Sequence, residues 1–324
     1  MSTPTLTETP AELRPRRRLL RGLPWLVVRQ HRVALSCFLG LTVLTALWIL
    51  YQRHELVQLL DAAGGPGKDV SHWVDETRGF SRVAALLSGV PLVLAVFIGA
   101  PLIAGDRESG TVQLVTTQSV TRLRWLVAKL GLVYALALVG GVALSAAFTW
   151  WWEPHRTLFF TRWAEGPIFD NTGPVLPAIL LFTAAAGVTI GVLVRRVLPA
   201  MVVTFVFTVV AQYVWDEIRI RLATPRMFTY PLDAELPDRF GDAYEVDRWV
   251  GNANGDLFGW GTCAEATDRA QEACLAKHGI VNNVLEYLDH DQMAGMQWTA
   301  AGLLLAGTAL LTGFVLWRVS RRPL

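Results

Sequence analysis

Six long apolar runs alternate with polar segments along the chain, at roughly residues 33–51, 83–104, 126–150, 175–194, 197–215 and 298–317. Each has about the 17–25 residues that a helix needs to cross a hydrocarbon layer ~30 Å thick. Inside such a layer a single run satisfies its own backbone N–H and C=O groups only as a helix. The pattern predicts an all-α integral membrane protein with six transmembrane helices. Aromatic residues collect near the run ends, at Trp48 and Tyr51, Trp125, Trp150 to Trp152, Tyr213 and Trp215, Trp298 and Trp317. That is the arrangement of an interfacial belt.

Composition agrees with this pattern. Hydrophobic residues make up 52% of the 324-residue chain and charged ones 17%, against roughly 25% charged in a soluble domain. The N-terminal stretch is polar and then basic, without the short apolar core and small-residue site of a removable signal peptide. Net charge, +2 overall, is informative only when divided by side. If the N-terminus lies inside, the inner segments hold sixteen of the 29 Lys and Arg and four of the 27 acids. The positive-inside rule then places both termini in the cytoplasm.

This topology divides the chain. Residues 1–32 form a cytoplasmic tail that ends in an interfacial helix, "LPWLVVRQHR" at 23–32, with Pro24 suited to a first helical turn. Residues 33–215 carry spans one to five, with a cytoplasmic loop at 105–125. Residues 216–297 form a large extracytoplasmic loop between spans five and six, and residues 298–324 form span six and a cytoplasmic tail. The large loop is rich in Asp, Gly, Pro and Trp, which suits a folded cap. It contains Cys263 and Cys274 on the oxidising side, where a disulfide is the first reading. A zinc site with His278 has the spacing C-x10-C-x3-H but only three ligands. Two free thiols are the third reading. Cys37 lies inside the first run and reads as a small core residue.

Several chemistries are excluded. "GGPGKDV" at 64–70 is not a phosphate loop: Ala62 stands at the first glycine position and Asp69 at the Ser/Thr position. No carboxylate and no histidine falls within the six runs; their one charged residue is Lys129, near an end from which it is expected to snorkel to the interface. Ion-coupled transporters and intramembrane proteases keep ionisable groups at depth. No basic soluble domain for nucleic acid is present. The chain reads as a membrane path with no engine, no cofactor and no metal site of its own. Pro91 and Pro101 are expected to kink span two. Gly187 and Gly191 form a G-x-x-x-G pair that favours close helix approach.

The polar loop is the largest non-terminal surface on the inner side. "GDRESGTVQLVTTQSVTRLRWLVAKL" at 105–130 resembles the cytoplasmic loop of bacterial ABC type-2 exporter permeases. The residues that carry the resemblance are Glu108, Gly110, Thr111, Gln118, Ser119, Thr121, Arg122 and Lys129. "WLVVRQHR" (25–32), "FDNTGPVLP" (169–177) and "VRRVLPAM" (194–201) are similar to the same family. The resemblance implies a multi-pass protein of the bacterial plasma membrane, paired with a second permease copy as a homodimer or heterodimer. A separate ABC ATPase subunit would bind ATP-Mg. The loop after span two would be the coupling helix, seated in a groove of that ATPase. Asp106, Arg107, Glu108, Arg122 and Arg124 would contact it through charge-assisted hydrogen bonds, Gly110 would allow close backbone approach or end a turn, and Thr111 belongs to the same coupling set. The long loop before span six would roof the exit, with Cys263 and Cys274 bonded. The alternative is a non-transporting membrane anchor, immunity or sensor subunit whose 216–297 cap binds a ligand or partner.

Overall fold

The computed structural model describes residues 23–62, 74–110, 121–159 and 161–321. Six helices in it are long and apolar enough to cross a membrane: Arg32–Ala62, Gly79–Glu108, Arg122–Arg156, Val175–Leu193, Val197–Arg219 and His290–Arg321. They are called spans one to six. Most extend beyond the apolar runs, because the polar flanks continue the same helices. A short helix, Leu23–Gln30, precedes span one and is separated from it by a turn at His31.

Span four is the axis of the bundle. It packs against spans two, three, five and six, and 78% of its most apolar window is buried, against 17% for span five and 28% for spans one and six. Its sequence, VLPAILLFTAAAGVTIGVL, is small and aliphatic throughout. Small residues bring backbones close enough for dispersion contacts, which drive helix association where lipid already satisfies the hydrophobic effect. Gly187 shows this directly. A Cβ there would stand 2.6 Å from the carbonyl oxygen of Ala95, and the equivalent atom on Gly191 would meet the carbonyl of Ala100. The G-x-x-x-G pair is thus the seam with span two.

Span two changes its winding at that seam. Residues Ala95–Gly99 form one π-helical turn, in which the N–H of Ala100 bonds the carbonyl of Ala95. Pro101 lacks an N–H and its ring clashes with the carbonyl one turn earlier, so the helix widens there, as π-turns commonly do. Pro91 lies inside the regular helix Val74–Leu94. The expected kink is therefore a local widening next to Pro101.

Segment 216–297 corrects the all-α expectation, because it contains a four-stranded antiparallel sheet. The strands are β1 (Arg226–Pro231), β2 (Tyr244–Asn252), β3 (Leu257–Gly259) and β4 (Ile280–Leu288), in the order β1-β4-β2-β3. Asn254 and Gly255 turn the chain between β2 and β3, with Gly255 at φ 90°. Helix Asp268–His278 starts on Thr267, whose side chain accepts from the Ala270 N–H, and stops at left-handed Gly279. Cys263 and Cys274 are joined by a disulfide that ties this helix to the preceding loop. Strand β4 runs through the turn His290–Gln292 into the regular helix of span six. Arg226 of β1 pairs with Asp289 and Asp291 at that junction. The sheet is thereby held to the bundle where its adjacent strands β1 and β4 meet spans five and six.

The seam yields a prediction. Gly187→Ala places a methyl against the Ala95 carbonyl and lowers the melting temperature of the purified protein, by the roughly 1–3 kcal/mol typical of overpacking. Gly131→Ala, where a Cβ meets nothing within 4 Å, leaves it unchanged or raised, since Ala favours helix over Gly. Equal melting temperatures for the two variants would contradict the seam.

Candidate functional site

Two clusters of polar side chains hold the bundle, one at each end. The first lies at the arginine-rich end, at the root of the 105–125 loop. Asp106 is 5% exposed and Lys129 fully buried. Lys129 Nζ bonds the Asp106 carboxylate and donates to the carbonyl of Leu102 at 2.8 Å. Gln30 Nε2 donates to the other Asp106 oxygen at 2.6 Å. The Trp125 ring centroid lies 4.8 Å from the ammonium. The side chain of Lys129 therefore does not snorkel; it is neutralised inside the protein. Span two also continues to Glu108, so it brings a carboxylate into the helix that the apolar run alone excluded.

The next two residues fasten the short turn between spans four and five. Arg107 donates to the carbonyl of Val192, near the carboxyl end of span four, where the helix dipole is negative. Glu108 accepts the N–H of Val197 at 2.8 Å, at the amino end of span five, where the dipole is positive. Asp-Arg-Glu thus connects span two to the short pre-span helix and to spans three, four and five. Ser109 caps the helix and Gly110 leaves it at φ 71°. His31 lies beside the pair: burial, helped by Lys129 and opposed by Asp106, pushes its imidazole down to about 4, so it stays neutral at physiological pH.

Of the residues expected to meet a partner, the structure turns Asp106 inward and bonds Arg107 and Glu108 within the chain. Arg122 and Arg124 are exposed on the first turn of span three. The N-cap of that span is Thr121, whose hydroxyl accepts from the Arg124 N–H at 3.3 Å. Thr111, Gln118 and Ser119 lie outside the described residues.

The second cluster is the FDNTG stretch at the sheet end, which the sequence singled out without assigning roles. Asp170 accepts from Trp215 Nε1 at 2.9 Å and from Arg219 Nη1 at 2.8 Å. Arg219 also bonds Asp216 and the carbonyl of Ala164. Asn171 Nδ2 reaches the carbonyl of Ala84 and the hydroxyl of Ser88 in span two, both at 3.2 Å. Gly173, at φ 58°, accepts from Ser145 of span three at 2.7 Å. Gln297 of span six donates to Thr172 Oγ1 at 2.7 Å. One short loop thus ties spans two, three, five and six together. Burial pushes the Asp170 carboxyl up to about 6, against the opposing pull of Arg219 and Trp215. Beside this loop a cavity of about 570 Å³ opens between spans two, four, five and six.

Among the described residues no group of three or more His, Cys, Asp or Glu side chains could hold a metal ion. An apolar six-span bundle, latched at each end by buried polar residues, defines a multi-pass membrane protein. Residues 39–219, more than half the chain, match the family described as ABC-2 membrane transporter related, and the chain belongs to it. It is a transporter-type membrane subunit, the non-catalytic component of an ABC system. The chain matches no curated protein and no solved structure.

Two predictions follow from the clusters. Asp106→Leu or Lys129→Met alone leaves one buried charge and destabilises the protein by on the order of 3–5 kcal/mol. The double variant recovers much of the loss, read as melting temperature and detergent-stable yield; a double variant as unstable as the sum of the singles would refute the pairing. For Asp170 the folded pKa, about 6, exceeds the ordinary 3.8, so the folded state holds the proton more tightly. Its stabilising effect is full below about pH 4 and disappears as pH rises through 6. Melting temperatures of wild type and Asp170→Asn should therefore diverge across that window, the wild type declining with pH relative to the variant.

Proposed function

We propose that this chain is the permease of an ATP-driven exporter in the bacterial plasma membrane. In this reading the arginine-rich end is cytoplasmic and the sheet domain extracytoplasmic. A separate ABC ATPase binds ATP-Mg and docks on the 105–125 loop, and a second permease copy, identical in the simplest case, completes the path. Family membership over residues 39–219 carries this reading. The root of the loop supports it physically. Arg122 and Arg124 stand exposed where a partner reaches them. At the start of the same loop, Asp106, Arg107 and Glu108 are bonded to the pre-span helix and to spans three, four and five. A displacement of the loop is then passed to most of the bundle through short hydrogen bonds, without requiring any one helix to bend. The uncovered apolar faces of spans one and five suit the second copy.

The test is direct. Arg122→Glu with Arg124→Glu should reduce co-purification of the ATPase by at least about tenfold while membrane insertion stays intact. Undiminished co-purification would remove the docking assignment. Reconstituted with its ATPase, the wild-type complex should hydrolyse ATP faster in the presence of a transported solute. A tightly bound ligand that neither moves nor stimulates hydrolysis would favour the membrane anchor or sensor instead.

A further inference from the structure

The cavity at the sheet end has a divided wall. Its deeper part is formed by Pro91, Ile179, Phe182, Leu303 and Leu304. Two threonines also line it, but Thr183 donates to the carbonyl of Ile179 at 2.9 Å and Thr208 to that of Thr204 at 2.8 Å. Their hydroxyls are satisfied within their own helices and ask nothing of an occupant. From Leu176 to Thr183 the wall descends seven residues along span four, or about 10 Å at 1.5 Å per residue. That is the reach of a medium-length alkyl chain or a fused-ring body. The volume, about 570 Å³, lies within the roughly 300–1,000 Å³ usual for small-molecule sites.

The other end is polar and of one sign. Asp170 and Asp216 line it, and among the described residues no Lys, Arg or His does. Arg219 stands behind both carboxylates, 2.8 Å from each, so one guanidinium answers two acids. Asp216 has a side chain 59% exposed and marks the open side. Asn171 is fully buried at the wall. Its Nδ2 donates to Ala84, Ser88 and Pro167, which fixes the amide orientation, while its Oδ1 has no partner. Buried behind the lining, that oxygen is out of an occupant's reach, so the groups that meet a ligand head are the two carboxylates. Gln212 is likewise oriented, its Nε2 bonded to the carbonyl of Ser88 at 3.1 Å.

We propose that this cavity binds a cationic amphiphile: an amine that donates hydrogen bonds at the Asp170–Asp216 end, with an apolar body lying along spans four and six. A phosphate or carboxylate head would face two acids whose single guanidinium, Arg219, is already shared between them, and is rejected. A quaternary ammonium would keep the charge but supply no N–H for the carboxylates. The proposal concerns binding, and it stands whether or not an ATPase drives the chain.

The experiment uses the full chain in lipid nanodiscs and three photoreactive probes with the same twelve-carbon diazirine tail. Their heads are a primary amine, a trimethylammonium and a carboxylate, and crosslinked residues are mapped by mass spectrometry. Labelling of the 176–183 and 303–304 walls should be strongest with the amine, weaker by several-fold with trimethylammonium and near background with carboxylate. Excess dodecylamine should compete it away. Asp216→Asn should weaken amine labelling about tenfold. Leu304→Trp, which fills the cavity, should abolish it while the melting temperature shows the fold retained. Equal labelling by all three heads, or undiminished labelling in a folded Leu304→Trp protein, would overturn the site.

Discussion

Lys129 has no route to water, and the structure answers it with a carboxylate from another span. Desolvating an ammonium is costly enough that it must be paired or lose its proton. Asp106, brought up by the last turn of span two, and the carbonyl of Leu102 supply that pairing. Once the pair is made, spans two and three are locked in register at this end. The two residues after Asp106 are then held where they reach spans four and five. Between the two polar ends the helices pack through close contact of small residues, as at the seam of spans two and four.

The two polar clusters share a logic but differ in material. At the arginine-rich end the bonds are made by side chains on helices, and the turn they fasten, between spans four and five, is short. At the sheet end the bonds come from a loop, FDNTG, whose backbone and side chains together meet spans two, three, five and six. Span four passes between the two clusters with little polarity of its own. A rigid central span with both ends tied is a good lever support. The outer helices, spans one and five, have broad uncovered faces that can meet lipid or another subunit.

The sheet domain is joined to this frame through span six. Strand β4 continues into that helix after one turn, and Gln297, about one helical turn into it, is bonded to Thr172. The disulfide and the capped helix Asp268–His278 stabilise the far side of the domain, away from the bundle. The cavity beside Asp170 lies where loop, span five and span six meet, so its shape depends on all three.

Much of this was legible in the residues alone. Hydropathy sets the number and rough limits of the spans, because a bilayer admits few alternatives to a twenty-residue apolar helix. The loop at 105–130 stood out because charges there interrupt apolar sequence, and Gly187 with Gly191 announced a close seam. The strands were missed, though YEVDRWVGN and IVNNVLEYL carry β-branched and aromatic residues, and Asn254-Gly255 is a hairpin turn. Their alternation is broken by a bulge between Glu245 and Asp247 and by three successive buried residues in β4, Asn283 to Leu285. Lys129 and Asp106 were read separately because 23 positions divide them. No local pattern tells a lysine that snorkels from one that meets a carboxylate across a helix interface. The sequence by itself determined that the chain is a six-span bundle with a polar loop of mixed charge, since burial in lipid acts on each helix singly. Only the tertiary structure decided which polar residues face each other, because that depends on how helices distant in sequence rotate about their axes when they pack.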